Sequence, residues 1–231
     1  MSEQPTGARA RARAQTIDDI LRVAREHLAQ DGANLSLRSV ARDLGMVSSA
    51  VYRYFDSRDA LLTALIIDAY DDLGEATERA EAAVRRSDLR GRWHATCHAI
   101  RDWSREHPAE YGLLYGTPVP GYSAPEDTIV PASRTVVVMT AILRDAVERG
   151  SVAPLPHERL PATTRADLEG IVAVPGFEGV PPALLARGMH AWACLFGLVS
   201  FELFGRLINA IYDDDAWFDY QLRLLTRDLG L

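Results

Sequence analysis

With 231 residues, 48% of them hydrophobic, the chain can bury one large helical core or a small one beside a larger one. Its net charge of −7 excludes a protein that gathers polyanions through overall charge. Two cysteines, Cys97 and Cys194, are too few for a disulfide framework, and the N-terminus lacks the apolar core of a signal peptide, so a cytoplasmic protein is expected.

Residues 1–14 carry Arg9, Arg11 and Arg13 among small residues with no apolar face, the composition of a flexible arm. Such an arm is either a plain tail or a reach toward a minor groove or phosphates. Ile17, Ile20, Leu21, Ala24 and Leu28 then give a first helix one buried face, ending at Asp31-Gly32. Leu37, Val40, Ala41 and Leu44 repeat at i, i+3, i+4, i+7 and predict a short second helix, with Ser36 placed to cap it. Gly45 supplies the positive φ that stops a helix and reverses the chain. A third short helix follows, with Val47, Val51 and Tyr54 on one face and Ser48, Ser49, Tyr52 and Arg53 on the other. Small, hydroxylated and cationic, that second face suits a DNA major groove, although an ordinary helical hairpin gives the same pattern.

From Ser57 a long helix runs to about Ala83 on the stripe Leu61, Leu62, Leu65, Ile66, Ala69, Leu73, capped by Asp56 or Ser57. Helices are expected over 88–106, 109–115, 131–148, 162–174, 182–212 and 215–229. Pro108 closes the first of these. Loops rich in Pro and Gly occupy 116–125 and the stretch holding Pro154, Pro156 and Pro161. The 182–212 helix is apolar nearly all round in its second half, so both its sides need cover, and a second subunit is the expected cover for one of them. Glu202, Arg206 and Asn209 interrupt the run and argue against a membrane span. The charge is uneven: residues 1–60 hold nine Arg against eight acidic residues, the remainder sixteen against twenty-four. A near-neutral head on an acidic body fits a DNA reader. Every basic residue is Arg, so phosphate contacts must come from guanidinium, hydroxyl or backbone groups.

The run Val40-Ala41, Leu44-Gly45, Tyr52-Arg53-Tyr54-Phe55, Ser57-Arg58 and Leu61-Leu62 resembles the DNA-binding domain of tetracycline-repressor-type (TetR) regulators. Val47 departs from that pattern, which often has a capping Ser there. The body resembles a TetR-type C-terminal regulatory domain through Glu110-Tyr111, the run Leu113 to Tyr122, Ala191-Trp192, Gly197-Leu198-Val199 and Glu202-Leu203-Phe204-Gly205. Phe196 stands where that domain's Trp/His/Gly motif often has His.

Residues and resemblance together imply an all-α protein. A flexible arm (1–14) leads into a three-helix DNA-binding head with a helix-turn-helix (15–60) and a larger helical ligand-binding and dimerisation domain (61–231). Ser36, Arg38, Tyr52, Tyr54 and Arg58 are the expected phosphate contacts, and Ser48, Ser49 and Arg53 the expected base contacts, Arg53 being able to pair bidentately with guanine. Trp93, Cys97, Trp103, Tyr111, Tyr115, Met139 and Trp192 are candidate walls of a pocket for a small hydrophobic effector, although for each one taken singly ordinary core is the better explanation. His94 and His98 have a spacing that can hold a metal, but no further ligands sit nearby, so no metal and no cofactor is expected. There is no nucleophile elbow, phosphate loop or acid/base pair, and no enzyme is expected. The expected function is a dimeric repressor on a palindromic operator, joined through the last two helices and released by the effector. A dimeric small-molecule binder that no longer reads DNA is the alternative.

Overall fold

A computed structural model describes residues 5–152 and 159–231, so Pro154 and Pro156 of the second loop, and residues 1–4 of the N-terminal segment, lie outside it. Among the described residues every regular element is helical: α1 (Pro5–Asp31), α2 (Leu37–Asp43), α3 (Ser48–Val51), α4 (Arg58–Ala82), α5 (Leu89–Glu106), α6 (Pro108–Tyr115), a 3-10 turn (Glu126–Thr128), α7 (Ile129–Glu148), α8 (Ala162–Val172), α9 (Pro182–Leu203) and α10 (Asp214–Leu229). They form two units, one of residues through Tyr70 with His107–Ile129, the other Asp71–Glu106 with Val130–Leu231.

The first unit is built on α1 to α3, the start of α4, and α6 with its loop. Ile20, Ala24, Val40, Ala41, Val51, Leu61 and Leu62 are fully buried, and Ala109, Leu113, Val119 and Tyr122 pack on the same cluster. Each buried leucine or isoleucine contributes about 1.5–3 kcal/mol of transfer energy. The α2–α3 turn closes as the residues dictate. Gly45 sits at φ +65°, its N–H donates to the Arg42 carbonyl at 3.0 Å, and the Met46 N–H reaches back to Ala41 at 2.8 Å. This paired closure satisfies carbonyls that the end of α2 would otherwise leave open.

Three expectations change here. Helix α1 starts at Pro5, so residues 5–14 continue a helix instead of forming an irregular arm; their Ala and Arg are strong helix formers. The compact unit that holds the helix-turn-helix extends past residue 60: it runs to Tyr70 and takes in 107–129, which the sequence alone assigns to the body. Ser36 does hold the N-cap position of α2, but its hydroxyl makes no capping bond; Ser57 does cap α4, accepting from the Ala60 N–H at 3.1 Å.

In the second unit α5 lies against α9 and α10, and α8 packs on α9. Asp88 caps α5, its Oδ1 accepting from the Gly91 N–H at 2.8 Å. Two arginines are buried outright. Arg92 is 0% exposed and ion-paired to Glu81 and to Asp145, the latter at 2.5 Å. Arg101 is 3% exposed; it grips both Glu202 oxygens, at 2.8 and 3.0 Å, and reaches Asp215 at 2.8 Å. Arg134 of α7 crosses α4 at Gly74 and pairs with Asp71 and Glu78, each at 2.7 Å. A Cβ at position 74 would stand 2.8 Å from Arg134 Nε and 2.9 Å from its Cβ, so only glycine leaves that passage open.

Helix α9 stops at Leu203, short of the expected Tyr212. Gly205 turns to φ +66° and the Arg206 N–H closes onto the Phe201 carbonyl at 2.8 Å, ending the helix although the apolar run continues. By length and hydropathy alone α9 could cross a membrane, a test that core helices also pass. Here one face of α9 (Leu184, Leu195, Val199) is core, while Met189, Phe201 and Phe204 on other faces are exposed. Asp213 caps α10, accepting from the Ala216 N–H at 2.9 Å.

Candidate functional site

The helix-turn-helix presents one polar face. Ser36, Arg38, Ser49, Tyr52 and Arg53 are exposed, and Ser48 is half-buried at the first position of α3. Val51 anchors the short helix from beneath at 0% exposure. Val47, expected on that inner face, is 70% exposed at the N-cap and makes no capping bond, because it precedes the helix and escapes its periodicity. The outer face therefore carries a methyl-bearing residue beside two serines and an arginine, a set able to contact a thymine methyl and base-edge acceptors.

Two other expected DNA contacts are engaged within the unit. Tyr54 is half-buried with the Arg13 guanidinium 5.0 Å from its ring centroid, a cation–π contact that ties α1 to the end of the motif. Arg58 donates to the Ala33 carbonyl at 2.6 Å and lies 3.6 Å from Asp59, so it braces the α1–α2 loop. His27 and Asp43 meet at 2.7 Å and bind α1 to α2. Hydrogen bonds from His27 and Arg42 hold the Asp43 carboxyl below its ordinary value.

Within the second unit α7 and α9 flank a cavity of about 240 Å³. Two helical stripes face each other across it: Val136, Met139, Thr140 and Leu143 on α7, and Leu185, Gly188, Met189 and Trp192 on α9. Trp93, Ile171 and Phe177 complete the wall. No titratable side chain is among them. Thr140 adds a hydroxyl, and the buried Trp93 indole N–H has no acceptor among the described residues. Gly188 marks a close approach, since a Cβ there would lie 2.8 Å from Leu143 Cδ1. Met189 and Trp192, 47% and 37% exposed, stand where the wall meets the surface.

Of the seven candidate pocket residues, Trp93, Met139 and Trp192 line this cavity. Cys97 and Trp103 are buried on α5 and are not part of its wall; burial pushes the Cys97 thiol well up, which suits an inert core residue. Tyr111 and Tyr115 belong to the first unit, where they stack at 5.2 Å and Tyr115 meets Tyr70 edge-on. Apart from Ile171 and Phe177, the wall residues that sequence reasoning missed belong to the α7 and α9 stripes at i, i+3, i+4, i+7, the spacing of any core stripe. Gly188 alone, a glycine inside a helix, signals a close approach. His94 and His98 diverge, the first to Thr226 Oγ1 at 3.1 Å and the second to Asp219 at 3.1 Å. Among the described residues no group of three or more His, Cys, Asp or Glu could hold a metal.

A short helix-turn-helix with an exposed polar recognition face, in a chain whose other unit is a helical body around an apolar cavity, defines a DNA-binding regulator. Comparison with known proteins gives the family. Residues 20–65 match the model of bacterial regulatory proteins of the tetR family, and residues 93–225 that of a tetracyclin repressor-like C-terminal domain. The chain is 39% identical over 227 residues to the HTH-type transcriptional regulators Rv1816 of Mycobacterium tuberculosis and Mb1846 of Mycobacterium bovis, covering 97% of this chain and 96% of each relative. SCO4313, described as a regulatory protein, matches at TM-score 0.74 and 33% identity over 94% of this chain and 97% of its own. The TetR family transcriptional regulator PfmR from Thermus thermophilus shares the fold at TM-score 0.58 and 20% identity, over 90% of this chain and 97% of its own. The chain belongs to the TetR family of transcriptional regulators and carries its helix-turn-helix DNA-binding domain.

Proposed function

We propose that the protein is a cytoplasmic, homodimeric repressor that binds a near-palindromic operator and is released by a small, uncharged, apolar effector. The observation that carries this reading is the α7–α9 cavity in a chain with a DNA-reading head: a wall without one ionisable group favours a neutral apolar guest, because burying an unpaired ion costs several kcal/mol. Dimerisation is assigned to α9 and α10. Phe201, Phe204 and Tyr220 are about half exposed on these helices, and apolar side chains left exposed together on neighbouring helices mark a surface for a partner. Two-fold symmetry then sets two α3 helices on one operator with matching half-sites. Arg53, Ser48 and Ser49 read bases; Tyr52, Ser36 and Arg38 hold phosphates; Arg58 and Tyr54 keep α1 to α3 in register. The effector acts by differential affinity, favouring a conformation of the body that does not fit the operator.

The test is binding of the purified protein to the promoter fragments flanking its own gene, titrated with salt. Expected are selective, saturable binding with a steep negative salt slope, its loss in Arg53→Ala, and a smaller loss in Tyr52→Phe. Binding that ignores sequence, with both variants behaving as wild type, sinks the reading and leaves the dimeric ligand binder.

A further inference from the structure

The second unit contains another concavity, with basic side chains among its walls where the apolar cavity has none. Between the start of α5 and the end of α10 lies a pocket of about 520 Å³ faced by Arg90 and His94 from α5 and by Arg223, Thr226 and Arg227 from α10. Each helix contributes two basic residues at i, i+4, an arrangement that disfavours the helix when both are charged. No acidic side chain lines the pocket, whose wall is completed by Gly91 and by Leu231, the last residue of the sequence. Arg90 makes no ion pair among the described residues. Arg223 only rests beside the Tyr220 ring, 5.8 Å from its centroid, and Arg227 reaches its exposed neighbour Asp228 at 3.5 Å.

The nearby acids are already engaged. Asp219 is paired with His98 at 3.1 Å, and Asp88 caps the Gly91 N–H. Burial, with the charges of His98, Arg223 and Arg90, holds the His94 imidazole below its ordinary value despite Asp219. Three arginines and a histidine gathered at one concavity make a locally cationic rim in a chain of net charge −7.

We propose that this pocket binds a small oxyanion, a ligand bearing phosphoryl or carboxylate groups, held between α5 and α10 by Arg90, Arg223 and Arg227. Guanidinium forks suit such groups because they give two parallel charge-assisted hydrogen bonds to one acceptor group. The Thr226 hydroxyl, which donates to the Leu222 carbonyl at 2.7 Å and meets His94 Nε2, fixes the imidazole at the pocket wall. The site is separate from the effector cavity, where a charged ligand has no partner.

Thermal melting of the full chain at constant ionic strength tests this, with chloride replaced stepwise by pyrophosphate and, separately, by citrate. A saturable rise of roughly 2–4 °C is expected a few-fold above Kd. Arg90→Gln and Arg223→Gln should raise the half-saturating concentration at least about tenfold, the loss of one charge-assisted contact, while melting no lower than wild type without the anion. Arg79→Gln, on exposed α4, should keep the wild-type response. A response to pyrophosphate alone identifies a phosphoryl ligand, and one to citrate alone a polycarboxylate. No saturable rise with either, or an equal rise in wild type, Arg90→Gln and Arg223→Gln, overturns the proposal.

Discussion

The two units hold themselves together in different ways. The head is an aliphatic core with its ion pairs at the edge: Arg25 with Asp68, and His27 with Asp43, are partly exposed ties between helices. The body buries charge instead, placing Arg92 and Arg101 out of solvent and meeting them with Glu81, Asp145, Glu202 and Asp215. Hydrophobic burial is tolerant of small shifts. A buried guanidinium is not, because its partners must stay within hydrogen-bond reach or leave an uncompensated ion. The head is thus held by packing that tolerates small shifts, and the body by a few directional contacts that fix its helices around an unfilled space.

The largest effect expected from breaking this contrast is at Arg92. Arg92→Met should cost about 3–5 kcal/mol, read by urea denaturation, because Glu81 and Asp145 lose their buried cation. The same cluster sets an acid limit. Burial raises the Asp145 carboxyl's pKa, but hydrogen bonds from Arg92 and Arg86 overcome this and hold it below the ordinary value of 3.8. Its contribution is therefore complete above that value and lost as pH falls through the lower folded one. Asp145→Asn should remove that part of the acid dependence, seen as a flatter stability profile at low pH. In the head, Leu62→Ala should cost about 2–5 kcal/mol with no comparable change in acid dependence.

Smaller effects separate binding from folding. Arg53→Ala should weaken operator binding by about 1–3 kcal/mol at unchanged melting temperature, measured by fluorescence anisotropy of labelled DNA. Gly188→Leu should displace the Leu143 side chain, which a Cβ there would approach to 2.8 Å, and take up room in the cavity. It should weaken the neutral fluorescent probe N-phenyl-1-naphthylamine at least tenfold, about 1.4 kcal/mol, with DNA binding kept. Unchanged probe affinity would remove the cavity from the effector mechanism.

How far these differences were legible in the sequence depends on the range of the signal. The α2–Gly45–α3 turn and the cap at Ser57 are local devices, carried by residues within a few positions of one another. The early start of α1 rests on the helix propensity of Ala and Arg between positions 7 and 13, which an apolar-stripe criterion overlooks. The true end of α9 is marked by Gly205 alone, inside an apolar run that argues for continuation. Assignment of 107–129 to the head is a tertiary fact. Pro108 and the Pro/Gly loop show that the chain changes course there, but nothing local says which core Leu113 and Tyr122 will join. For the same reason Tyr111 and Tyr115 look like pocket residues until the units are seen. The cavity was hidden because its two walls carry the spacing of packed core, and a void has no residue of its own.

Gly74 gives the passage of Arg134 across α4 a consequence for how the chain can change. By intrinsic preference alanine improves the middle of a helix by roughly 0.5–1 kcal/mol over glycine. Here the added methyl would press on the Arg134 stem and on Nε, and so on the reach of one guanidinium to two carboxylates. The local optimum and the global one point opposite ways at this position. A drift toward better helix formers ends here, because the gap left by a missing side chain is already taken by the Arg134 stem.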